Sequence, residues 1–240
     1  MKAIITFHSI DDRGTVLSFP PAMFADMINS LLVKGISICT LDKLMLPETD
    51  NAVTLTFDDG MQSVYKNALP VLSGAHVPAH LYLTTGHIGA DNRWPTQPPN
   101  APVFEMMGWH EIEACVKGGM HIENHTVSHP DLRMLGRSEI EDECEQADSS
   151  IAEHFGSRPE HFAYPYGTYN SNVSAIVSKR YQTCVTTKLL PLGRELVAAE
   201  LPRLDSYYLQ NRWLYNHLFS PVSSSYLFGR HILRVIQRIL

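Results

Sequence analysis

Short runs of β-branched and aromatic residues recur along the chain, each followed by a stretch with helical spacing. This alternation limits the fold more than any other feature of the sequence. The runs are Ala3–Phe7, Ile36–Cys39, Val53–Phe57, Ala79–Thr84, Met120–Glu123, His161–Tyr164, Gln182–Thr186 and Leu201–Leu204. Between them, Pro21–Lys34 places Phe24, Met27, Ile28, Leu31 and Leu32 on one face and stops at Gly35. A second helix is expected after Ser138, where Ser138 and Glu141 have capping-box spacing and Ile140, Cys144, Ala147 and Ile151 repeat at helical intervals. Asn170 has the residue type of an N-cap before Val173, Ile176 and Val177. Strand and helix alternating at this spacing imply an α/β domain with a mostly parallel sheet, open or closed into a barrel.

Composition narrows the function classes. The chain has 240 residues, 44% of them hydrophobic, enough for a substantial core. Lys+Arg number 19 against 25 Asp+Glu, a net charge of −6, so there is no basic excess with which to bind nucleic acid by phosphate neutralisation. Cys39, Cys115, Cys144 and Cys184 are widely spaced in apolar stretches and read as buried free thiols. The amino terminus reads as a first strand rather than a signal peptide, and no apolar run is long enough to cross a bilayer, so the expected location is cytoplasmic. Residues 86–108 are long, irregular and proline-containing, with Trp94 among them; such loops either rim a functional site or are tolerated insertions. Residues 1–225 read as one domain. Residues 226–240 read as an amphipathic basic helix with Arg230, Arg234 and Arg238 four apart, packed on the domain or, alternatively, lying on a membrane surface.

Twelve histidines stand out against this background. Three short segments give some of them a chemical context. The apolar strand Val53–Phe57 runs into Asp58, Asp59 and Gly60. Adjacent carboxylates at the end of a buried strand repel each other unless a cation joins them, and Gly60 permits the turn that aims both at one place. Farther on, His125 and His129 are four apart, so a helical turn would bring two imidazoles to one metal, and His121 precedes them as a structural residue. With a strand-end aspartate they make two nitrogens and one oxygen, the composition of zinc sites that keep a position open. The third segment, Phe162 to Asn170, holds Tyr164, Pro165, Tyr166 and Gly167; its aromatic faces suit sugar rings and its backbone N–H groups suit an oxyanion.

In this order TFDDG, HTVSH and FAYPYG resemble the first three motifs of the polysaccharide deacetylases (NodB homology domain, carbohydrate esterase family 4). Phe7-His8-Ser9-Ile10, Trp109 and Leu201-Pro202-Arg203 match the flanking text, and the likeness spans about residues 3–205. The resemblance implies a distorted (β/α) barrel of about seven strands with the site at the strands' carboxyl ends. It implies Asp59, His125 and His129 as ligands of a divalent metal, most simply Zn2+, with Co2+ or Ni2+ as alternatives. Asp58 takes the place of the general base, and the metal and a backbone N–H near Tyr166 would hold the oxyanion. Tyr164, Pro165, Tyr166, Trp109 and Arg203 fall at substrate-binding positions. The chain departs from the family pattern twice. No late Leu-x-His motif is evident, so the general acid is expected to be His8, as in the circularly permuted branch acting on poly-N-acetylglucosamine, rather than His217. The usual arginine of the third motif is replaced by Ala163 and Tyr164, which leaves Arg203 to orient Asp58. The implied activity is metal-dependent removal of N-acetyl or O-acetyl groups from a sugar or polysaccharide. The alternatives are hydrolysis of another linear or cyclic amide, and a non-catalytic glycan-binding module.

Overall fold

A computed structural model describes residues 1–193 and 195–239; the side chains of residues 237–239 are not described, so the expectations for Arg238, Ile239 and Leu240 lie outside the described residues. The strands are β1 (Lys2–Phe7), β2 (Ser9–Ile10), β3 (Ser18–Phe19), β4 (Ser37–Ile38), β5 (Ala52–Phe57), β6 (Ala79–Leu83), β7 (Met120–Asn124), β8 (His161–Ala163), β9 (Thr183–Val185) and β10 (Leu204–Asp205). The main sheet is parallel, in the order β10-β1-β5-β6-β7-β8-β9. β2 and β3 form a separate small pair. Leu201 bridges to Val185 of β9 while Leu204 and Asp205 pair with Ile5 and Thr6 of β1, so the segment from 201 to 205 spans the seam of the curled sheet. The alternation predicts the parallel sheet, and its curling gives the distorted (β/α) barrel that the resemblance implies, although the last strand is shorter than the run Leu201–Leu204 suggests and displaced toward Asp205.

The eight helices are α1 (Pro21–Val33), α2 (Leu41–Met45), α3 (Leu69–Ala75), α4 (Trp109–Lys117), α5 (Arg137–Phe155), α6 (Ser171–Val177), α7 (Arg212–Asn216) and α8 (Pro221–Ile239) among the described residues. Burial explains why the strands carry almost no charge: all six residues of β5 are buried. The two threonines there are satisfied, Thr54 Oγ1 donating to Cys39 O and Thr56 Oγ1 to Ile5 O. Phe7, Phe19, Phe24 and Phe57 pack together with ring centroids 5.2 to 5.9 Å apart, tying β1 and β5 to α1. In α1 the buried face is Phe24, Met27, Ile28 and Leu31; Leu32, expected on it, is exposed. α5 starts one residue before Ser138. Its first turn is capped by Glu139, whose carboxylate accepts the Gly136 N–H, instead of by the Ser138–Glu141 pair. The four cysteines are free and buried.

α8 contains residues 226–239 and begins earlier, at Pro221. It rests on the body through buried Leu227 and through Arg234, which pairs with Asp205 at 3.4 Å and lies over Tyr208. Val222, Tyr226, Phe228, Ile232, Leu233, Val235 and Ile236 are exposed. No helix among the described residues is long and apolar enough to cross a membrane.

At the amino ends of the strands, His80 of β6 is buried between two partners. Its Nε2 accepts the Leu41 N–H at 2.9 Å, which places the ring proton on Nδ1, 2.9 Å from Glu123 Oε1. Burial and neighbouring His121 hold the His80 pKa down to about 3. Burial pushes the Glu123 carboxyl up to about 7, against the N–H groups of Glu160 and His161 that donate to it. A histidine neutral when folded and protonated when unfolded stabilises the fold above the unfolded pKa and loses that contribution as pH falls from 6.5 towards 3. Glu123 acts in the opposite sense, its contribution falling as pH rises from about 4.5 to 7. His80→Gln keeps one donor and one acceptor without the titration. Its thermal stability should therefore decline less than that of the parent between pH 7 and pH 5, by on the order of 2 kcal/mol. Parallel melting curves for the two proteins across that range would refute this.

Candidate metal centre and active site

Every segment singled out for chemistry emerges at the carboxyl end of a strand. Asp58 and Asp59 follow β5, His125 and His129 follow β7, Tyr164 and Tyr166 follow β8, and His8 follows β1. Arg203 reaches in from just before β10. His8, Asp58, Asp59, His125, His129 and Tyr166 line one cavity of about 100 Å³.

The backbone around these residues is unusually bent. Asp59 (φ 71°), Thr126 (φ 69°), His129 (φ 52°) and Tyr166 (φ 58°) all occupy the left-handed region, which is costly for side chains with a Cβ. Gly60 follows at φ 98°, and a Cβ there would lie 2.9 Å from Leu83 Cδ2. His125 and His129 thus do not meet through a helical turn. The segment after β7 is a loop that turns left-handed at Thr126 and again at His129, and its shape is held from outside. Asn124 Oδ1 accepts the Thr126 N–H, Glu143 of α5 accepts the N–H groups of Val127 and Ser128 and the Ser128 hydroxyl, and Thr126 Oγ1 accepts the His129 N–H. Sequence reasoning missed Asn124 and Glu143, whose roles depend on a loop conformation that HxxxH spacing does not specify.

Asp59 Oδ1 lies 3.4 Å from His125 Nε2 and 3.6 Å from His129 Nε2, and all three residues are buried. Asp59 Oδ1 has no hydrogen-bond partner. His125 Nδ1 sits 2.7 Å from Ala163 O and so carries a proton, which fixes the ring with Nε2 turned to Asp59. Burial and the neighbouring His125 ring push His129 down to about 3, whereas for His125 burial is outweighed by the Asp59 and Asp58 carboxylates, which push its pKa up. Two imidazole nitrogens thus converge on a buried carboxylate oxygen that has no hydrogen-bond partner, an arrangement that a cation between them would complete. Their ligand atoms lie within 4.8 Å of one another, and the N2O donor set fits a divalent metal of the zinc type.

Asp58 is held differently. Arg203, 1% exposed, grips it in a two-pronged ion pair, Nη1 to Oδ1 and Nη2 to Oδ2, each 2.7 Å. Arg203 is itself fixed by Thr186 O and Thr56 Oγ1. Burial alone would raise the Asp58 pKa; the guanidinium overrides it and holds the carboxyl well below the usual carboxylate range. His8 Nε2 lies 3.9 Å from Asp58 Oδ2 and its ring is partly open to solvent. Arg203 thus sits where the resemblance left a gap for an arginine.

The irregular stretch 86–108 closes one side of the cavity. The Trp94 ring lies over His129 with centroids 4.3 Å apart, its Nε1–H donates to Tyr166 Oη at 2.9 Å, and Thr96 Oγ1 donates to His129 O at 2.9 Å. Other expected site residues are placed elsewhere. Trp109 opens α4 and stacks on His154 at 3.6 Å, outside the cavity lining. Tyr164 touches the cavity wall, but its ring is in the core against Phe162 and Tyr169 and its hydroxyl donates to Ala199 O. Pro165 is buried and does not line the cavity. His217 is stacked on Trp213, away from these residues.

Known proteins resemble this chain in sequence and in fold. Residues 46–184 match the polysaccharide deacetylase family model. The Bacillus subtilis protein YxkH, named for the same family, is 26% identical over 192 residues, 77% of this chain and 64% of that protein. The poly-β-1,6-N-acetyl-D-glucosamine N-deacetylase of Staphylococcus aureus is 25% identical over 137 residues, 53% of this chain and 44% of its own. The chain therefore spans less than two-thirds of either relative. IcaB from Ammonifex degensii superposes with a TM-score of 0.76 at 21% identity, covering 90% of this chain and 97% of that one. A Streptococcus pyogenes deacetylase, PplD, superposes at 0.72 and 22% identity, covering 85% and 91%. With more than half of its length matched by the family model and its fold shared with these structures, the chain belongs to the polysaccharide deacetylase family.

Proposed function

We propose that this protein is a metal-dependent hydrolase that removes N-acetyl groups from a polymer of N-acetylglucosamine. The observation that carries this reading is the pairing of two aspartates with different tasks. Asp59 converges with His125 and His129 as an ion site, while Asp58, one residue away, is turned into an ion pair with Arg203 and faces His8. The staphylococcal relative's substrate supports the choice of glycan.

A divalent ion, most simply Zn2+, bound by Asp59, His125 and His129 would supply Lewis acidity, polarising the acetamide carbonyl and making water more acidic. The protein's own groups do the rest. Asp58, kept ionised by Arg203, accepts the proton of the attacking water. The Tyr166 N–H, presented by the left-handed turn, donates to the oxygen of the tetrahedral centre. His8 gives a proton to the departing amine, which cannot leave as an anion. Trp94 holds His129 in place from the rim, and its contact with Tyr166 fixes the opposite wall of the cavity.

Acetate release from oligomers of β-1,6-linked and of β-1,4-linked N-acetylglucosamine tests the reading. His8→Ala should lower kcat by about 10²–10⁴-fold, whereas His217→Ala should leave it unchanged. An undiminished rate in His8→Ala would remove His8 from the mechanism, and the absence of acetate from both oligomers would remove the proposed substrate.

A further inference from the structure

A second convergence of metal-binding groups lies at the opposite end of the barrel. His161 opens β8, Glu160 precedes it, and Asp42 is in the first turn of α2. The ligand atoms of these three lie within 4.8 Å of one another. His161 is 1% exposed, and its Nε2 points to Asp42 Oδ1 at 3.5 Å. Its other nitrogen, Nδ1, is 2.9 Å from Thr183 Oγ1 on the neighbouring strand. When Nδ1 carries the proton and Thr183 accepts it, Nε2 turns a lone pair toward a carboxylate, a meeting that a cation between them would relieve. The backbone that presents two of the three ligands is fixed, because Glu123 Oε2 accepts the N–H groups of both Glu160 and His161. The two carboxylates are solvent-facing and border a cavity of about 300 Å³, so an ion has a way in and room for water to complete its coordination.

We propose that Asp42, Glu160 and His161 bind a second divalent transition-metal ion, of the zinc type, that serves structure and not catalysis. One imidazole and two carboxylates suit such an ion. Held there, it ties α2, which follows the short strand β4, to the start of β8. β4 pairs only with the first residues of β5, Ala52 and Val53, while β6 pairs with the last, Thr56 and Phe57, so that edge of β5 is shared between two short ladders. The ion would cross-link the barrel beside this division.

The test is metal stoichiometry of the full chain, stripped with chelator and dialysed against Zn2+. The wild-type protein should hold two ions. The double variant Asp42→Asn, Glu160→Gln, altered only at solvent-facing positions, should hold one, release acetate at the parent rate, and lose part of the rise in Tm that Zn2+ gives the parent. Asp59→Asn should also hold one while keeping the part that the double variant loses. Two ions in the double variant, or one in the wild type that Asp59→Asn abolishes, would overturn the proposal; the second result leaves the catalytic centre intact. One ion in the wild type that survives Asp59→Asn but not the double substitution would support this site and count against the catalytic one.

Discussion

Arg203→Leu should cost about 3–5 kcal/mol of stability at neutral pH, because it leaves the Asp58 carboxylate buried without a counter-charge. The sign of the pH dependence separates this from a simple packing defect. In the parent, Asp58 titrates far below its unfolded value, so its contribution is present at neutral pH and is lost as pH falls through the acid range. Without the guanidinium, burial dominates and the carboxyl pKa rises above the unfolded value. The variant's deficit should then shrink on acidification, since the unpaired carboxyl can take up a proton. The acid limb of kcat/KM should move to higher pH in the same variant. Arg203→Lys, which keeps the charge but cannot form the two-pronged contact, should fall between. A deficit independent of pH, with an unmoved acid limb, would mean that Arg203 merely fills space.

Asp58→Asn should have the largest effect on turnover, a loss of about 10²–10⁴-fold in kcat, with the metal content and the fold retained. Asparagine has the shape of aspartate and can still accept from one arm of Arg203, but it cannot accept a proton from water. The neighbouring Asp59→Asn should behave differently, losing bound metal along with activity, because Asp59 Oδ1 is the oxygen facing both imidazoles. If Asp58→Asn instead lost the metal, or kept full turnover, the division of labour between the two aspartates would be wrong.

Much of this arrangement is legible in the amino-acid order alone. Strands buried on both faces are rich in β-branched and aromatic residues and free of acidic residues, so β1, β5 and β6 stand out as short runs even with Thr54, Thr56 and His80 among them, and the residues just past each strand fall on one rim of the barrel. That places His8, Asp58, Asp59, His125 and Tyr166 around one mouth without fixing a single distance. The late arginine is expected to serve Asp58, and Arg203 does contact it. The conformation of HTVSH is not legible: spacing of four suggests a helical turn, whereas Asn124, Glu143 and Thr126 hold a loop with two left-handed residues. The aromatic residues are hard to place for a related reason. Trp109 and Tyr164 stand beside the motifs in sequence, but one packs on α5 and the other in the core, while Trp94, in a stretch without periodicity, is the ring that lies on His129. Residue type near a motif does not say which way a side chain turns; only the packing around it does. The His80–Glu123–His161 network leaves no mark in the sequence because its members are scattered over three strands and meet only when the barrel closes.

Acetate release from a β-1,6-linked N-acetylglucosamine oligomer, measured before chelation, after exhaustive chelation and after return of one divalent metal at a time, addresses the central claim most directly. Release should be present, vanish on chelation, and return with Zn2+ or with Co2+ or Ni2+ in the parent, but return with none of them in Asp59→Asn. Release that persists after the metal has been shown by analysis to be gone, or that never occurs in the metal-loaded protein, would contradict the account.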